Sequence, residues 1–281
     1  MKQYSKLVGH LNTLRNIRSI ITAMKNLALI EESKIGGFLV EQKKVVASIE
    51  NIAADFFHFY PEFLQNMSHD KIEVCILLGS ERGFCGKFNE QIIKAHNECA
   101  TQDKARDIKV VVVGSKLANK IEGTMSVFKQ IEGPSSSEEM AGIILKLVKN
   151  LEDIYPTNWV IVCNEEIENR ISSKIIRPFS DILTFDKKKY AVPMHLNLKP
   201  DRFFANLLDE YLLALLYKIF YNSFLLENKQ RSQHMDGALQ WLDKEHEELT
   251  HDLNSLRQAE IIEDIEEIML NVDMVLKEDI V

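Results

Sequence analysis

The chain has 281 residues, which is enough for one large domain or two domains of ordinary size. Its 46% hydrophobic and 27% charged residues are typical of a soluble globular protein. The net charge of -8 disfavours a nucleic-acid binder, because such proteins usually carry a surplus of lysine and arginine.

Residues 1–60 contain no proline and therefore predict one long N-terminal helix. Apolar residues seven positions apart form a first row: Leu7, Leu14, Ile21 and Ala28. A second row, offset by three positions, contains His10, Ile17, Met24 and Glu31. Four further residues widen the stripe: Leu11, Ile20, Leu27 and Ile30. An imperfect heptad of this kind is typical of a helix that packs along another helix, and Pro61 ends it.

Residues 61–200 alternate between strand-like and helix-like segments. The predicted strands are 72–78, 108–113, 126–131, 159–163 and an interrupted strand over 172–178 and 182–185. The predicted helices are 87–100, 115–121 and a helix that begins at Ser136, three residues before Glu139 as in a capping box, and continues to about residue 154. Alternation in this order predicts a Rossmann-like α/β domain with a mostly parallel sheet and helices on its faces.

Residues 201–281 also contain no proline, and they predict a second long helix with Asp201 as its N-cap. Its first third, residues 203–226, is apolar nearly all round, which predicts packing on the α/β domain. Within it, residues 211–226 are interrupted by Lys218 and are shorter than the ~20 apolar residues that a membrane span needs. Beyond it a heptad row continues through Met235, Leu242, Leu249 and Leu256. The two terminal helices are therefore predicted to form an antiparallel coiled coil.

The four cysteines do not form a C-x-x-C pair, and three of them lie in or beside apolar strand-like segments. We expect buried, reduced thiols rather than disulfides or metal ligands. The residues are Cys75, Cys85, Cys99 and Cys163.

Residues 79–87 resemble a phosphate-binding loop because they are rich in glycine and follow a strand. A Walker A loop needs Gly-x-x-x-x-Gly-Lys followed by Ser or Thr, whereas here Glu81 stands at the first glycine and Phe88 at the hydroxyl position. The dinucleotide fingerprint Gly-x-Gly-x-x-Gly is also absent from the loop. We therefore expect a tight strand-to-helix turn, with no cofactor and no direct small-molecule substrate.

The segment His246–Glu–Glu–Leu–Thr–His251 looks like a zinc-protease helix, but its histidines are five positions apart. Five residues rotate a helix by about 500°, so the two rings would point some 140° apart and could not share a metal ion. No Ser/His/Asp or Cys/His constellation is suggested by local context. We expect neither a metal site nor a catalytic site.

Three patches resemble the gamma subunit of F-type ATP synthases. They are residues 81–89 (ERGFCGKFN) in the first strand-to-helix turn, 257–261 (RQAEI) near the C-terminus and 21–25 (ITAMK) near the N-terminus. The corresponding family patterns are roughly [S/T]-[D/E]-R-G-L-C-G-x-x-N, R-Q-A-x-I-T-x-E and I-T-x-A-M-K. The chain has Ile262 and Asp264 where the second pattern has Thr and Glu, and it lacks one residue of the third pattern. These departures indicate a divergent branch.

The resemblance implies an α/β fold class: a Rossmann-like, mostly parallel sheet domain over residues 61–200, flanked by coiled-coil helices over 1–60 and 201–281. It implies a non-catalytic central-stalk rotor that couples ion flow across a membrane to ATP synthesis or hydrolysis. The implied partners are the alpha and beta subunits of the catalytic ring, the epsilon subunit and the ring of c subunits, with no nucleic acid. The implied location is peripheral, on the cytoplasmic face of a bacterial inner membrane.

Motif transfer also implies contact residues. Arg257 and Gln258 are candidates for polar contact with a beta subunit, and Met24 and Lys25 for contact on the other helix. The alternative for Arg257 and Gln258 is an exposed polar pair at a break in the heptad phase. The alternative for Met24, and the one that its spacing favours, is the core of the coiled coil.

Two interpretations of other classes remain open from the sequence. A cytoplasmic Rossmann-like enzyme with dimerising helical extensions would need a ligand pocket at the carboxyl ends of the strands. A coiled-coil scaffold would explain the terminal helices but not the three patches.

The first prediction concerns nucleotide binding by the isolated chain. Because the glycine-rich loop lacks the Walker A glycine and hydroxyl positions, we expect calorimetry to detect no tight, magnesium-dependent ATP binding and a coupled assay to detect no hydrolysis. Micromolar binding that requires Mg²⁺ would contradict this interpretation of the loop.

Overall fold

A computed structural model describes residues 2–65, 72–102, 107–151, 159–168, 170–178 and 195–278. The helices are α1 (Lys2–Phe59), α2 (Glu62–Gln65), α3 (Phe88–Gln102), α4 (Ser115–Ile121), α5 (Met140–Asn150) and α6 (Pro200–Glu278), with a 3-10 turn at Ser137–Glu139 before α5. The strands are β1 (Ile72–Leu78), β2 (Asp107–Val113), β3 (Lys129–Ile131), β4 (Trp159–Ile167) and β5 (Arg170–Ile176). The predicted strand segment 182–185 lies outside the described residues.

The five strands form one sheet in the order β3-β2-β1-β4-β5. The pairs β1–β2, β1–β4 and β2–β3 are parallel, and β4–β5 is an antiparallel hairpin at the edge. β1 is the central strand, and its apolar run is buried on both faces, as is usual for parallel strands covered by helices. The predicted α/β class with a mostly parallel sheet is confirmed.

Element boundaries differ from the predictions at several places. β4 extends to Ile167, beyond the predicted 159–163, and β5 covers Arg170–Ile176 rather than 172–178. β3 begins at Lys129, so the predicted strand 126–131 is too long. α5 begins at Met140 after a 3-10 turn, and Ser136 makes no side-chain cap within the described residues; instead the Glu139 carboxylate accepts a bond from the Ser135 N–H at 2.7 Å. α6 begins at Pro200, with the Lys199 carbonyl accepting the first helical bond from Phe203 at 2.9 Å. Asp201 therefore lies in the first turn and is not the N-cap.

Packing groups the described chain into two compact units. The paired-end unit contains residues 1–27 and 233–281, and the sheet unit contains residues 28–232. The division into domains at residues 60 and 200 stays a prediction.

The paired-end unit consists of the start of α1 and the end of α6. Arg18 forms an ion pair with Asp243 at 2.7 Å, and Lys25 forms one with Asp236 at 2.5 Å. As the residue number rises on α1 it falls on α6, so the two helices run antiparallel. The Arg18–Asp243 pair is exposed and the Lys25–Asp236 pair is part-buried. Such ion pairs contribute little to stability, so the apolar seam supplies most of it.

The apolar seam confirms part of the predicted heptad. Leu14 and Leu242 are buried, whereas Leu7, Ile21, Leu249 and Leu256 are half-buried. The second predicted row on α1 is wrong at His10 and Ile17, which are exposed, and Leu11 is buried instead. Ile20, Leu27 and Ile30, which were predicted to widen the stripe, are also exposed. The reason is geometric, because one partner helix covers only a narrow seam of its neighbour.

In the sheet unit, helices cover both faces of the sheet. One face packs against α1, α5 and α6, and the other face packs against α3 and α4 through Phe88, Ile92, Leu117 and Ile121. Phe56 lies at the centre of an aromatic cluster, 5.2 Å from the ring of Phe203 on α6. The ring of Phe38 lies 4.5 Å from that of Tyr221 on α6. As the residue number rises on α1 it falls on α6, so the two helices are antiparallel in this unit also. Every helix in the described ranges falls short of the length or the apolar character that a membrane span needs.

All four cysteines are free thiols. The predicted burial is confirmed for Cys75, Cys85 and Cys163, whereas Cys99 is half-buried. Burial raises the pKa of the Cys75 and Cys163 thiols to about 12, so both remain protonated at neutral pH.

The second prediction tests the seam of the paired-end unit. Changing Leu242→Ala should lower the free energy of unfolding by about 2–5 kcal/mol, because it removes a buried side chain and leaves a cavity. Ile20→Ala, at an exposed position on α1, should change it by less than about 0.5 kcal/mol. Urea unfolding followed by circular dichroism measures both values, and equal effects of the two changes would show that Leu242 is not in the seam.

Candidate functional site

The β1–α3 loop, residues 79–87, is the segment that resembles a phosphate-binding loop. A Cβ at Gly79 would lie 2.2 Å from the Leu117 Cβ, so only glycine fits where this loop meets α4. The Ser80 N–H donates to the Asn89 side-chain oxygen at 3.0 Å, and the Asn89 amide donates back to the Ser80 hydroxyl at 2.8 Å. The Cys85 thiol also donates to that hydroxyl, at 3.3 Å. The loop is therefore closed by its own side chains.

Glu81 links the carboxyl ends of three neighbouring strands. Its carboxylate, which follows β1, accepts bonds from the Ser115 N–H at 2.9 Å and the Ser115 hydroxyl at 2.7 Å, after β2. It also accepts a bond from the Gly133 N–H at 2.7 Å, after β3. Burial alone would raise the pKa of Glu81, but these hydrogen bonds to the ionised form outweigh burial and lower it. The charged glutamate thus occupies backbone donors at the edge of the sheet where an α/β enzyme would place a ligand.

α6 lies across the same edge of the sheet. A cavity of about 10 Å³ remains between the two, roughly the space of one water molecule. From the sheet it is lined by Leu78, Gly79, Val113 and Pro134, and from α6 by Phe220, Ser223, Phe224 and Glu227. In open α/β sheets ligands bind in the crevice outside the carboxyl ends of the strands, and here α6 fills that crevice. This arrangement disfavours the Rossmann-like enzyme.

A buried polar cluster on α6 contacts the β1–α3 loop. The Arg231 guanidinium pairs with the Glu227 carboxylate and donates to the Asn228 side-chain oxygen at 2.7 Å. It also donates to the main-chain carbonyls of Gly83 at 3.2 Å and Arg82 at 3.3 Å. Burial raises the pKa of the Glu227 carboxyl to about 7, although the Arg231 charge opposes the shift.

Sequence reasoning missed this cluster. The signal in the sequence is the set Glu227, Asn228 and Arg231, which directly follows the α6 segment 203–226 that is apolar nearly all round. A charged pair on a buried helix face is uncommon, because charges are costly to bury unless they are paired.

The four contact residues inferred from the resemblance all lie in the paired-end unit, but not together. Arg257 and Gln258 are exposed on α6, Met24 is half-buried, and Lys25 is held by Asp236. At a rise of 1.5 Å per residue, Asp236 and Arg257 are roughly 30 Å apart along α6. Two separate surfaces are therefore offered to any partner, and the half-burial of Met24 gives it a share in the seam.

Comparison with known proteins identifies the family. A family model described as ATP synthase matches residues 3–272. An ATP synthase gamma chain of Clostridium botulinum (strain 657 / Type Ba4) is 27% identical over 268 residues, which cover 92% of this chain and 93% of that protein. The chain belongs to the ATP synthase gamma-chain family. A gamma chain of Acetivibrio thermocellus is 24% identical, with 96% of this chain and 98% of that one covered.

Chains in solved structures of ATP synthases have a similar fold as well. A chain in the mitochondrial ATP synthase of Euglena gracilis (OSCP/F1/c-ring, rotational state 3) matches with a TM-score of 0.65 at 12% identity, over 98% of this chain and 95% of that chain. A chain from the central stalk and c-ring structure of Tetrahymena thermophila mitochondrial ATP synthase matches with a TM-score of 0.54 at 16% identity, over 78% of this chain. At these identities the likeness shows the fold alone.

The third prediction concerns the pH dependence of stability. A carboxyl group with the ordinary pKa of 4.5 loses its proton around pH 4.5 in the unfolded chain, whereas folded Glu227, whose pKa burial raises to about 7, loses its proton only as the pH rises towards 7. The unfolded state then binds fewer protons, so the contribution of Glu227 to the free energy of unfolding falls as the pH rises, by up to about 3 kcal/mol. Glu227→Gln should remove this slope. Glu210→Gln, at an exposed position on the same helix, should preserve it.

Urea unfolding at several pH values between 4.5 and 7.5 measures the slopes of the three proteins. A slope in Glu227→Gln equal to that of the parent chain would contradict the assignment.

Proposed function

We propose that this chain is the gamma subunit of an F-type ATP synthase, the central-stalk rotor that couples ion flow across a membrane to ATP synthesis or hydrolysis. The observation that carries the proposal is the use of the carboxyl edge of the sheet. In a Rossmann-like enzyme this edge would be open to a ligand, whereas here α6 packs across it and Glu81 occupies its backbone donors. An α/β domain arranged in this way is suited to holding helices rather than to bond chemistry.

The proposed rotor mechanism depends on the pairing of α1 with α6. α1 and α6 are linked by charged pairs and by an apolar seam in the paired-end unit, and by the Phe56 cluster in the sheet unit. A subunit that turns inside a ring of catalytic subunits acts by contacting each of them differently in turn. Such differential contact shifts the populations of their conformations and hence their nucleotide affinities. The chain itself performs no bond chemistry in this account.

The partners follow from this role. The paired-end unit enters the ring of alpha and beta subunits, and the sheet unit contacts the epsilon subunit and the ring of c subunits. The complex places the chain at the cytoplasmic face of a bacterial inner membrane as a peripheral component. Large exposed apolar side chains on the paired-end unit support a surface that partners cover: Ile20, Leu27, Trp241, Ile261, Ile265 and Ile268 are 49–62% exposed.

Arg257 and Gln258 contact a beta subunit, and Met24 and Lys25 form a second contact on α1. The exposure of Arg257 and Gln258 supports this assignment, because a side chain held within the chain would have no free donors for a partner. Lys25 contributes through its stem and its residual donors, since Asp236 already accepts one bond.

The fourth prediction tests the Arg257–Gln258 contact. Replacing both residues by Ala should leave the helix content of the free chain unchanged, because both are exposed on α6 and Ala favours helices. In the reassembled complex the same change should lower ATP-driven ion pumping several-fold, since each lost bond to a charged group contributes about 1.5–3 kcal/mol. Pumping is measured by a fluorescent ion-gradient probe in vesicles, alongside ATP hydrolysis.

A matched control is the double change Gln240→Ala and Asn254→Ala, at exposed polar positions on the same helix. It should leave pumping and hydrolysis at the parental level. If both double variants pump like the parent, Arg257 and Gln258 are an exposed polar pair and not a contact.

A further inference from the structure

Arg231 is the most enclosed cation in the described part of the sheet unit, with 5% of its surface exposed. Two of its acceptors, Glu227 and Asn228, belong to α6 itself and fix the orientation of the guanidinium. The other two, the carbonyls of Arg82 and Gly83, belong to the β1–α3 loop. The planar fork of arginine suits this arrangement, because its donors diverge in one plane and can serve both sides at once.

The β1–α3 loop, to which Arg231 is hydrogen-bonded, has an unusual backbone conformation. Phe84 directly follows Arg82 and Gly83, whose carbonyls accept the bonds from Arg231. Its φ of 62° lies in the left-handed region that non-glycine residues rarely adopt. Such a conformation persists only where the surrounding contacts determine it. On its other side the loop is held by Glu81, which binds the ends of β2 and β3. The chain of bonds thus runs from α6 through Arg231 and the loop to the sheet.

Apart from the exposed ion pair between Lys229 and Glu166 at the end of β4, the remaining contacts between α6 and the carboxyl edge of the sheet are mainly apolar. Phe220 and Phe224 face Leu78, Val113 and the ring of Pro134. Apolar packing resists separation, but it is non-directional and holds the angle of a helix about its own axis less firmly than hydrogen bonds do. The buried bonds of Arg231 supply that angular restraint.

We propose that Arg231, oriented by Glu227 and Asn228, is the positioning residue that locks the rotation of α6 to the α/β sheet, so that torque entering through the sheet is passed to the helix. This inference rests on the proposed function, because it identifies the connection through which the rotor would pass torque from its sheet to α6. Arg231 touches no substrate and acts only through the β1–α3 loop.

The decisive variant is Arg231→Lys. A lysine at this position keeps the charge and the i,i+4 pairing with Glu227, but its single ammonium group cannot also serve both loop carbonyls and Asn228. In the complex reassembled with the other subunits of its own ATP synthase, ion pumped per ATP hydrolysed should fall about fivefold while hydrolysis continues.

Lys229→Gln is the matched control. Lys229 lies on the same turn of α6, and its ion pair with Glu166 on β4 is exposed. Because exposed pairs contribute little, this change should leave the pumping ratio unchanged. Equal losses in Arg231→Lys and Lys229→Gln, or no loss in Arg231→Lys, would overturn the proposal.

Two further measurements keep the test informative. In the free chain, hydrogen exchange of the amides in residues 80–87 should be faster in Arg231→Lys than in Lys229→Gln, and equal exchange in the two variants would count against the proposed role of Arg231. If Arg231→Lys does not assemble, Asn228→Ala takes its place, because it loosens only one anchor of the guanidinium. It should lower the ratio about twofold, and a parental ratio would overturn the proposal.

The wild-type chain distinguishes a failure of the proposed rotor function from a failure of the proposed role of Arg231. If adding it to the remaining subunits does not restore pumping, the proposed rotor function fails. If it restores pumping and Arg231→Lys pumps equally well, only the proposed positioning role of Arg231 is wrong.

Discussion

The packing of α6 across the carboxyl ends of the parallel strands is the constraint on which the rest of the sheet unit depends. In most open α/β sheets this edge is left open, and the loops around it hold a ligand. Here the apolar part of α6 covers it and leaves room for about one water molecule. Once that edge is closed, the polar groups of the loops must find partners within the protein, since unsatisfied buried groups are costly. The β1–α3 loop meets this requirement with its own serine and asparagine and with Arg231.

Two carboxylates at this edge are shifted in opposite directions by the same environment. Glu81 accepts bonds from two main-chain N–H groups and a hydroxyl, and its pKa is lowered. Glu227 is fully enclosed beside Arg231, and burial raises its pKa to about 7. The difference is one of hydrogen-bond donors to the ionised form, which are numerous at Glu81 and supplied mainly by one guanidinium at Glu227. Glu81 is therefore a constant part of the framework, whereas the charge state of Glu227 depends on pH.

The two compact units use different interactions to hold the same pair of helices. In the paired-end unit the seam is narrow, its residues are often only half-buried, and one exposed and one part-buried ion pair align the helices. In the sheet unit α1 and α6 share a broad core with the sheet, and the aromatic cluster at Phe56 joins them. Broad burial gives stability and a narrow seam leaves much apolar surface available. This difference agrees with the proposed rotor function.

The sequence by itself determined the regular elements and their order. The apolar runs of β1 and β2, the glycine-terminated strands and the proline-free ends predicted the α/β class and the antiparallel helices, because strand and helix periodicities are local properties. The three short patches also sufficed to indicate the family. Boundaries failed where local signals compete, as at Ser136 and Asp201, whose side chains were expected to cap helices and do not.

Only the tertiary structure decided what those elements do to one another. No local pattern states that α6 crosses the carboxyl edge of the sheet, because the residues involved are separated by more than a hundred positions. For the same reason the sequence could not show that Arg231 reaches the carbonyls of Arg82 and Gly83, or that Glu81 serves the strands after its own. Burial along α1 likewise depends on the position of α6, because the side of α1 that α6 covers decides that Leu11 is buried and Ile17 is exposed. Periodicity specifies that a helix has an apolar face, but the position and width of the covered seam follow from the geometry of the neighbouring helix.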